Sequence, residues 1–242
     1  MNSPVSPRLK VTVLVPTLNE IDGIKAVLPR IKREWYDQLL VVDGGSTDGT
    51  PEYAKAQGYP VIHQKTKGVR RSYVEALPSI TGDIVIPFSP DGNCIPEAIP
   101  QLVEKMKEGY DMVIASRYAE GAKSEDDDFI TGIGNWAFTM LINGLYGTHL
   151  TDNMGIFRAW KTSLLTELDL DKEESFAMEK LTGVSGIGLE PLLSIRAAKR
   201  KMRVTEIPAS EPKRIGGERK MLPFRWGFVF LLQVFRELYY WK

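Results

Sequence analysis

Ile84-Val85-Ile86-Pro87-Phe88-Ser89-Pro90-Asp91-Gly92-Asn93 is an apolar run that stops abruptly in a turn carrying a carboxylate and a carboxamide. It predicts a buried strand delivering oxygen ligands to its own carboxyl end, the edge where open α/β sheets bind ligands. Two earlier stretches repeat the arrangement. Val11 to Val15 opens into Pro16-Thr17-Leu18-Asn19-Glu20, and Leu39 to Val42 opens into Asp43-Gly44-Gly45-Ser46-Thr47-Asp48-Gly49-Thr50. Strand-like runs at 61–63 and 112–116 extend the series, with the three loop-bearing strands at 11–15, 39–43 and 84–88. They alternate with helix-like stretches near 21–33, 50–57, 69–78 and 96–108, which predicts a βαβ sheet covered on both faces.

After Ser116 the rhythm breaks. An acidic loop, Glu120 to Asp128, precedes a helix-like segment, Phe129 to Thr151, without a formal charge. Thr131, Asn135, Thr139 and Asn143 put a polar stripe along it, so it reads as amphipathic rather than membrane-spanning. Its other face carries Ile133, Trp136, Phe138, Met140 and Leu141, suited to a core or a membrane surface. Then come a polar turn at Thr151-Asp152-Asn153, a helix near 189–200, a strand near 203–207 and a basic loop at 213–220. Residues 221–242 follow, in which eight of 22 side chains are aromatic. The expected organisation is one domain over 1–220 with an amphipathic aromatic helix over 221–242. Trp226 to Phe235 is uncharged but too short to span a bilayer, and Arg225, Arg236 and Lys242 flank it. It suits docking on a membrane; a core helix or a homodimer contact fits the same composition.

Lysine plus arginine balances aspartate plus glutamate at 31 each, so overall charge predicts no nucleic-acid partner. Locally, nine basic residues stand against three acidic ones between Arg196 and Lys220, an excess suited to phosphate or anionic lipid. The single Cys94 excludes an internal disulfide, and Met1 to Lys10 has no apolar h-region. The expected location is cytoplasmic, peripheral on the cytoplasmic face of a membrane.

Asp91 and the Asn93 amide oxygen suit Mg2+ or Mn2+, which accept one or two protein oxygens and take other ligands from water and a diphosphate. A tight turn chosen for backbone reasons would look the same. Asp43 begins no dinucleotide fingerprint, because G-x-G-x-x-G is absent. It suits a base N–H or a ribose hydroxyl, although a glycine-rich turn with Asp48 as a cap accounts for the same residues. His63 and His149 lack partners at metal-ligand spacing.

Pro16-Thr17-x-Asn19-Glu20, the Asp43 to Thr50 loop, Gly82-Asp83, Asp91, Ser116-Arg117-Tyr118 and Asp152 to Arg158 together resemble the family 2 glycosyltransferases. Within that family the chain is most similar to the polyprenol-phosphate glycosyltransferases, the dolichol-phosphate mannose synthase-like group. Three features carry this: Ser116-Arg117-Tyr118 after the fifth strand, the Asp152-Asn153-Met154-Gly155-Ile156-Phe157-Arg158 segment, with one residue inserted before Phe157, and the late Arg214-Ile215-Gly216-Gly217-Glu218-Arg219-Lys220 loop. The resemblance implies a GT-A fold: α/β, Rossmann-like, with a mixed, mainly parallel sheet. By it, Pro16, Thr17, Asn19, Glu20, Asp43, Gly45, Ser46, Lys67 and Pro90 would hold the nucleotide, and Asp91 with Asn93 the metal. Arg117, Arg158, Arg214, Arg219 and Lys220 would face acceptor or phosphate, and Asp91, Asp152 and Arg117 would be catalytic. One departure matters. The family usually has Asp-x-Asp on the turn, and here the first position is Ser89. Either Asp91 suffices with the donor diphosphate, or the acidic loop helps through Glu125, Asp126, Asp127 or Asp128, though a charge run is ordinarily a solvated loop.

The implied function is inverting, metal-dependent transfer from a nucleotide-diphosphate sugar to a polyprenyl phosphate, an anion that attacks without a strong base. A glycan hydroxyl as acceptor, the alternative, needs a carboxylate base, for which Asp152 and Glu190 are the candidates. A third possibility is a nucleotide-binding partner subunit without catalysis. The sequence fixes neither the sugar nor the base.

Overall fold

Near-continuous Val, Ile and Leu runs pair as parallel strands only when helices cover both faces, because no face is left polar enough for water. That is the arrangement in the computed structural model, which describes residues 8–184, 188–215 and 223–241. Seven strands form one sheet among these residues: β1 (Val11–Thr17), β2 (Gln38–Asp43), β3 (Val61–His63), β4 (Ile84–Pro87), β5 (Met112–Ser116), β6 (Arg158–Lys161) and β7 (Val204–Pro208). Their order is β3-β2-β1-β4-β6-β5-β7. The pleat divides the core in two. Val13, Val15, Val41 and Ile86 face one layer with Ile24, Ile99 and Leu102, while Leu14, Leu40, Val42 and Val85 face the other with Tyr73, Trp160 and Leu192.

The helices α1 (Ile21–Val27), α2 (Thr50–Ala56), α3 (Val69–Ala76) and α4 (Ile99–Lys107) connect the first five strands. Pro29 and Pro78 sit in the 3-10 turns that end α1 and α3 short of the expected bounds. The register pairs Thr17 with Asp43 and Leu14 with Pro87, so the loops after β1, β2 and β4 emerge side by side.

β6 was not expected. It runs antiparallel between β4 and β5, whereas every other pairing is parallel. An antiparallel strand begins at the edge where its parallel neighbours end, so residues 152–157 arrive at the loop-bearing edge. The remaining helices are α5 (Phe129–Tyr146), α6 (Leu164–Glu167), α7 (Ala177–Thr182), α8 (Glu190–Lys199) and α9 (Pro223–Arg236). α5 starts on Asp128, whose carboxylate accepts from Thr131 N at 2.8 Å, and stops at Gly147, before the expected Thr151.

The expected boundary between 220 and 221 lies outside the described residues. α9 itself packs on α5, α7 and α8, burying Val229, Phe230 and Val234. The other flank is open: Phe129, Ile130, Ile133 and Trp136 of α5 and Phe228, Leu231 and Phe235 of α9 are exposed. No helix among the described residues is long and apolar enough to cross a membrane.

Candidate active site

The loops after β1 and β2 are laced to one another. Asn19, in the left-handed region at φ 55°, donates its N–H to Ser46 Oγ at 2.9 Å and accepts from Thr47 N at 2.8 Å. Asp48 accepts from Ile21 N and Thr50 N, both at 3.0 Å, fixing the starts of α1 and α2 together. Asp43 is buried, and its carboxylate accepts from the amides of Gly45 at 3.1 Å and Ser46 at 3.2 Å. His63 Nδ1 lies 3.5 Å from the same carboxylate, and Lys55 Nζ lies 2.9 Å from His63 Nε2. Lys67 is exposed on the loop before α3.

The turn after β4 is pressed between two elements. A Cβ on Gly23 of α1 would come within 2.3 Å of the Pro90 carbonyl oxygen, so only glycine allows this approach. On the other side, Ile215 N donates to Asp91 O at 2.7 Å across Gly92, which has φ 95°. Asp91 is thereby held as a buried carboxylate with Arg214 Nη2 at 3.4 Å. Asn93 Nδ2 donates to Asp126 at 3.2 Å and Glu211 at 3.4 Å, leaving Asn93 Oδ1 buried without a hydrogen-bond partner.

Arg117, one residue past β5, is the centre of the other half. Its Nε and Nη2 donate to Asp152 Oδ2 and Oδ1 at 2.7 and 3.0 Å, a bidentate pair with Asp152 fully buried. Its Nη1 reaches Glu211 at 3.4 Å and Asp127 at 3.7 Å. Burial alone would lower the Arg117 pKa; the facing Asp152 carboxylate outweighs it and holds the guanidinium charged. Burial pushes the Glu211 carboxyl up, against the pull of Arg117.

These groups line one end of a cavity of about 750 Å3, whose other end is walled by Ile133 and Phe138 of α5 and Trp226, Phe228 and Phe230 of α9. Among the described residues five carboxyl groups line it, Asp91, Asp126, Asp127, Glu190 and Glu211, against two guanidinium groups, Arg117 and Arg214. The residues after β1 and β2 are outside this wall.

Two expectations need correction. Arg158 does not face phosphate: it is fully buried, with Nε donating to Gly155 O at 2.9 Å and Nη1 to Ser194 Oγ at 3.1 Å. The first residue of β6 points under the turn that precedes it, where unpaired carbonyls need donors. Asp152, expected as a catalytic carboxylate, is fully buried and does not line the cavity. Burial would raise its pKa, but the Arg117 guanidinium, the Arg158 charge and the Arg117 amide hold it below the usual carboxylate range; the amides of Met154 and Gly155 also donate to it, at 3.0 and 2.9 Å. It positions Arg117. Glu190 is the carboxyl that burial pushes up, with Tyr73 Oη donating to it at 3.2 Å. Arg219 and Lys220 lie outside the described residues.

Sequence reasoning gave Glu211 no role. It accepts from Ser124 Oγ, Arg117 and Asn93, and only its place just before the basic loop hinted at this.

No three His, Cys, Asp or Glu side chains converge as a metal cage among the described residues. A cation that shares a diphosphate needs fewer protein ligands. Asp91 and the orphaned Asn93 Oδ1 meet that need, so the residues fit a hard divalent ion.

A mixed, mainly parallel sheet with an antiparallel strand between β4 and β5, and polar loops gathered at one edge, is the GT-A fold. The glucosyl-3-phosphoglycerate synthase of Mycobacterium tuberculosis, solved with Mn2+, uridine-diphosphate and phosphoglyceric acid, superposes with a TM-score of 0.66. It is 21% identical, with 93% of this chain and 78% of that one covered. The family model for glycosyl transferase family 2 matches residues 12–168, and the chain belongs to that family. The undecaprenyl-phosphate mannosyltransferase of Micrococcus luteus is 29% identical over 223 residues, 88% of either chain. The dolichol-phosphate mannosyltransferase of Pyrococcus furiosus is 28% identical over 228 residues, covering 88% of this chain and 59% of that protein.

Proposed function

We propose that this glycosyltransferase moves a sugar, with inversion, from a nucleotide-diphosphate sugar to a polyprenyl phosphate at a membrane surface. The observation that carries the reading is the two-ended cavity. Arg117 and Arg214 are in its polar lining, and its apolar lining comes from α5 and α9, whose Ile133 and Phe228 are also among the exposed side chains. A phosphate on an isoprenoid chain has that same division. The relatives' names support the acceptor class, and the exposed Arg225 suits an anionic headgroup layer at the cytoplasmic face.

In this reading Pro16, Thr17, Asn19, Glu20, Asp43, Gly45, Ser46, Lys67 and Pro90 hold the nucleotide. Asp43 is preorganised by its two backbone amides to accept from a base or a ribose. Asp91 and Asn93 hold the divalent cation, which when bound neutralises charge on the leaving diphosphate. Arg117, kept charged and aimed by Asp152, orients the acceptor phosphate for in-line attack, which needs no strong base.

The test is release of nucleoside diphosphate from a panel of uridine- and guanosine-diphosphate sugars, with and without polyprenyl phosphate, in Mn2+, in Mg2+ and in chelator. Release requiring both metal and lipid phosphate is expected. Metal-dependent release indifferent to the lipid would refute the acceptor. One observation favours a second reading, transfer to a glycan hydroxyl: Glu190 lines the cavity with its pKa raised by burial, the state suited to a general base. Loss of turnover in Glu190→Gln with a hydroxyl acceptor would establish that alternative.

A further inference from the structure

We propose that Asp126, from the acidic loop before α5, supplies the second carboxylate of the divalent-cation site in place of Ser89, and that Arg214 occupies that position until the cation enters. The inference rests on the cation-dependent reading above.

Arg214 Nη2 lies 3.4 Å from Asp91 Oδ2 and 3.4 Å from Asp126 Oδ2, so the two oxygens are at most twice that distance apart. A Mg2+ bound to both needs them within about 4.2 Å, a side-chain adjustment once the guanidinium leaves. The two carboxylate side chains are 10% and 13% exposed. Asn93 joins them: its Nδ2 donates to Asp126, and its Oδ1 is the buried oxygen without a partner. Ser89 lines the same cavity but brings no charge.

Asp126 is not part of a solvated charge run. Glu125 N donates to Glu211 O at 2.8 Å, and Ser124 Oγ donates to the Glu211 carboxylate. Beyond it, Asp127 accepts from Tyr118 Oη and from Asn135 Nδ2, the latter at 2.9 Å. The loop is thus pinned on both sides of Asp126, which faces inward while Glu125 is exposed. Two carboxylates sharing one guanidinium make a place for a cation, and a divalent ion bridging a diphosphate is a stronger occupant than a monovalent side chain. Displaced, Arg214 stays at the mouth of the cavity, free to meet an incoming phosphate. Cation loading and acceptor binding are coupled through that one side chain.

The experiment is a Mn2+ titration followed by the paramagnetic signal of the free ion, with saturating UDP and separately with GDP, so that binding rather than turnover is read. Asp126→Asn is expected to weaken Mn2+ about tenfold or more, while Glu125→Gln, the same charge change one residue away, stays within about twofold. Ser89→Asp in the Asp126→Asn background should restore the affinity, which also guards against a misfolded single variant. Arg214→Gln should tighten Mn2+ in the wild-type background and lose that effect when Asp126 is Asn. Wild-type affinity in Asp126→Asn would overturn the site, and an Arg214→Gln effect independent of Asp126 would overturn the exchange. If the unaltered protein binds no Mn2+ with either nucleotide, the cation-dependent reading itself falls.

Discussion

Glu237→Gln tests whether α9 is a built wall of the cavity or a detachable tail. Arg196 of α8 donates Nε to Glu237 Oε2 at 2.9 Å and Nη2 to Oε1 at 3.1 Å, with both side chains fully buried. Gln233 adds a donor to Glu237 Oε1 at 3.0 Å, and Arg196 Nη1 reaches Leu168 O at 2.6 Å and Ser175 Oγ at 2.8 Å. The Arg196 guanidinium also lies over the Trp241 ring, 5.0 Å from its centroid. Gln preserves volume but removes the charge and turns an amide donor toward a guanidinium that, among the described residues, is paired with no other carboxylate within 4.0 Å. Removing one partner of such a pair costs about 3–5 kcal/mol, a large share of the roughly 5–15 kcal/mol that holds a domain folded. For a chain of 242 residues that is a fall in melting temperature of about 6–20 °C. The loss should concentrate in α9, read as faster amide hydrogen exchange over 223–236. Because Trp226, Phe228 and Phe230 wall the apolar end, KM for a polyprenyl phosphate should rise while KM for the nucleotide sugar holds. Replacing both partners, Arg196→Met with Glu237→Leu, should recover most of the stability, since desolvation of two charges is then avoided. A Glu237→Gln protein melting within about 2 °C of wild type would refute the latch.

Glu190→Gln gives a pH-resolved check. The folded-state pKa of Glu190 lies above 4.5, so its stabilising contribution is complete below the unfolded value and is lost as pH rises through the folded one. The Gln variant never ionises and should gain on wild type as pH climbs from about 4 to 8; a melting difference flat with pH would contradict the assignment. Replacing Phe129, Trp136 and Phe228, which are 81%, 64% and 58% exposed, by Asp should leave melting within about 3 °C and abolish co-sedimentation with anionic vesicles. Unchanged co-sedimentation would remove the membrane face, and self-association lost instead would assign it to a second copy. Arg117→Lys keeps the charge but loses the fork that Asp152 holds, and kcat/KM should fall about a hundredfold; a change under about threefold would show that orientation is unimportant.

The first five strands were legible because each is a short apolar run closed by turn residues, and because parallel strands need no polar face. β6 was not legible. Arg158-Ala159-Trp160-Lys161 is four residues with a cation at each end, and nothing local marks it as a strand. The error about Arg158 came with the family resemblance, which assigns the segment but not the direction of its side chain; only the antiparallel insertion places it beneath the Gly155 carbonyl. Asp91, Asn93, Arg117 and Arg214 were legible as a set and converge on one cavity. Asp126 was hidden in a run of four acids, because which of them faces inward depends on hydrogen bonds to Tyr118, Asn135 and Glu211 that are distant in sequence. Asp152 was legible as important, but its role as a buried partner of Arg117 needed the geometry.

The charge inventory of the cavity constrains any mechanism. Both donor and acceptor in the proposed reaction are anions, yet among the described residues five carboxyl groups line the site against two guanidinium groups, with Arg219 and Lys220 outside that count. With an anionic substrate added, the unbalanced site would repel what it is meant to bind, because like charges at close range in a partly buried cleft are poorly screened. Two of the carboxyls, Glu190 and Glu211, ease the imbalance by having their pKa raised by burial. Asp91 and Asp126 both face the Arg214 guanidinium, each at 3.4 Å. A divalent cation resolves the imbalance only where those two meet, and Arg214, once replaced there, adds its charge to the phosphate side. In the proposed exchange the same side chain balances Asp91 and Asp126 before the cation binds and adds its charge to the phosphate side afterwards.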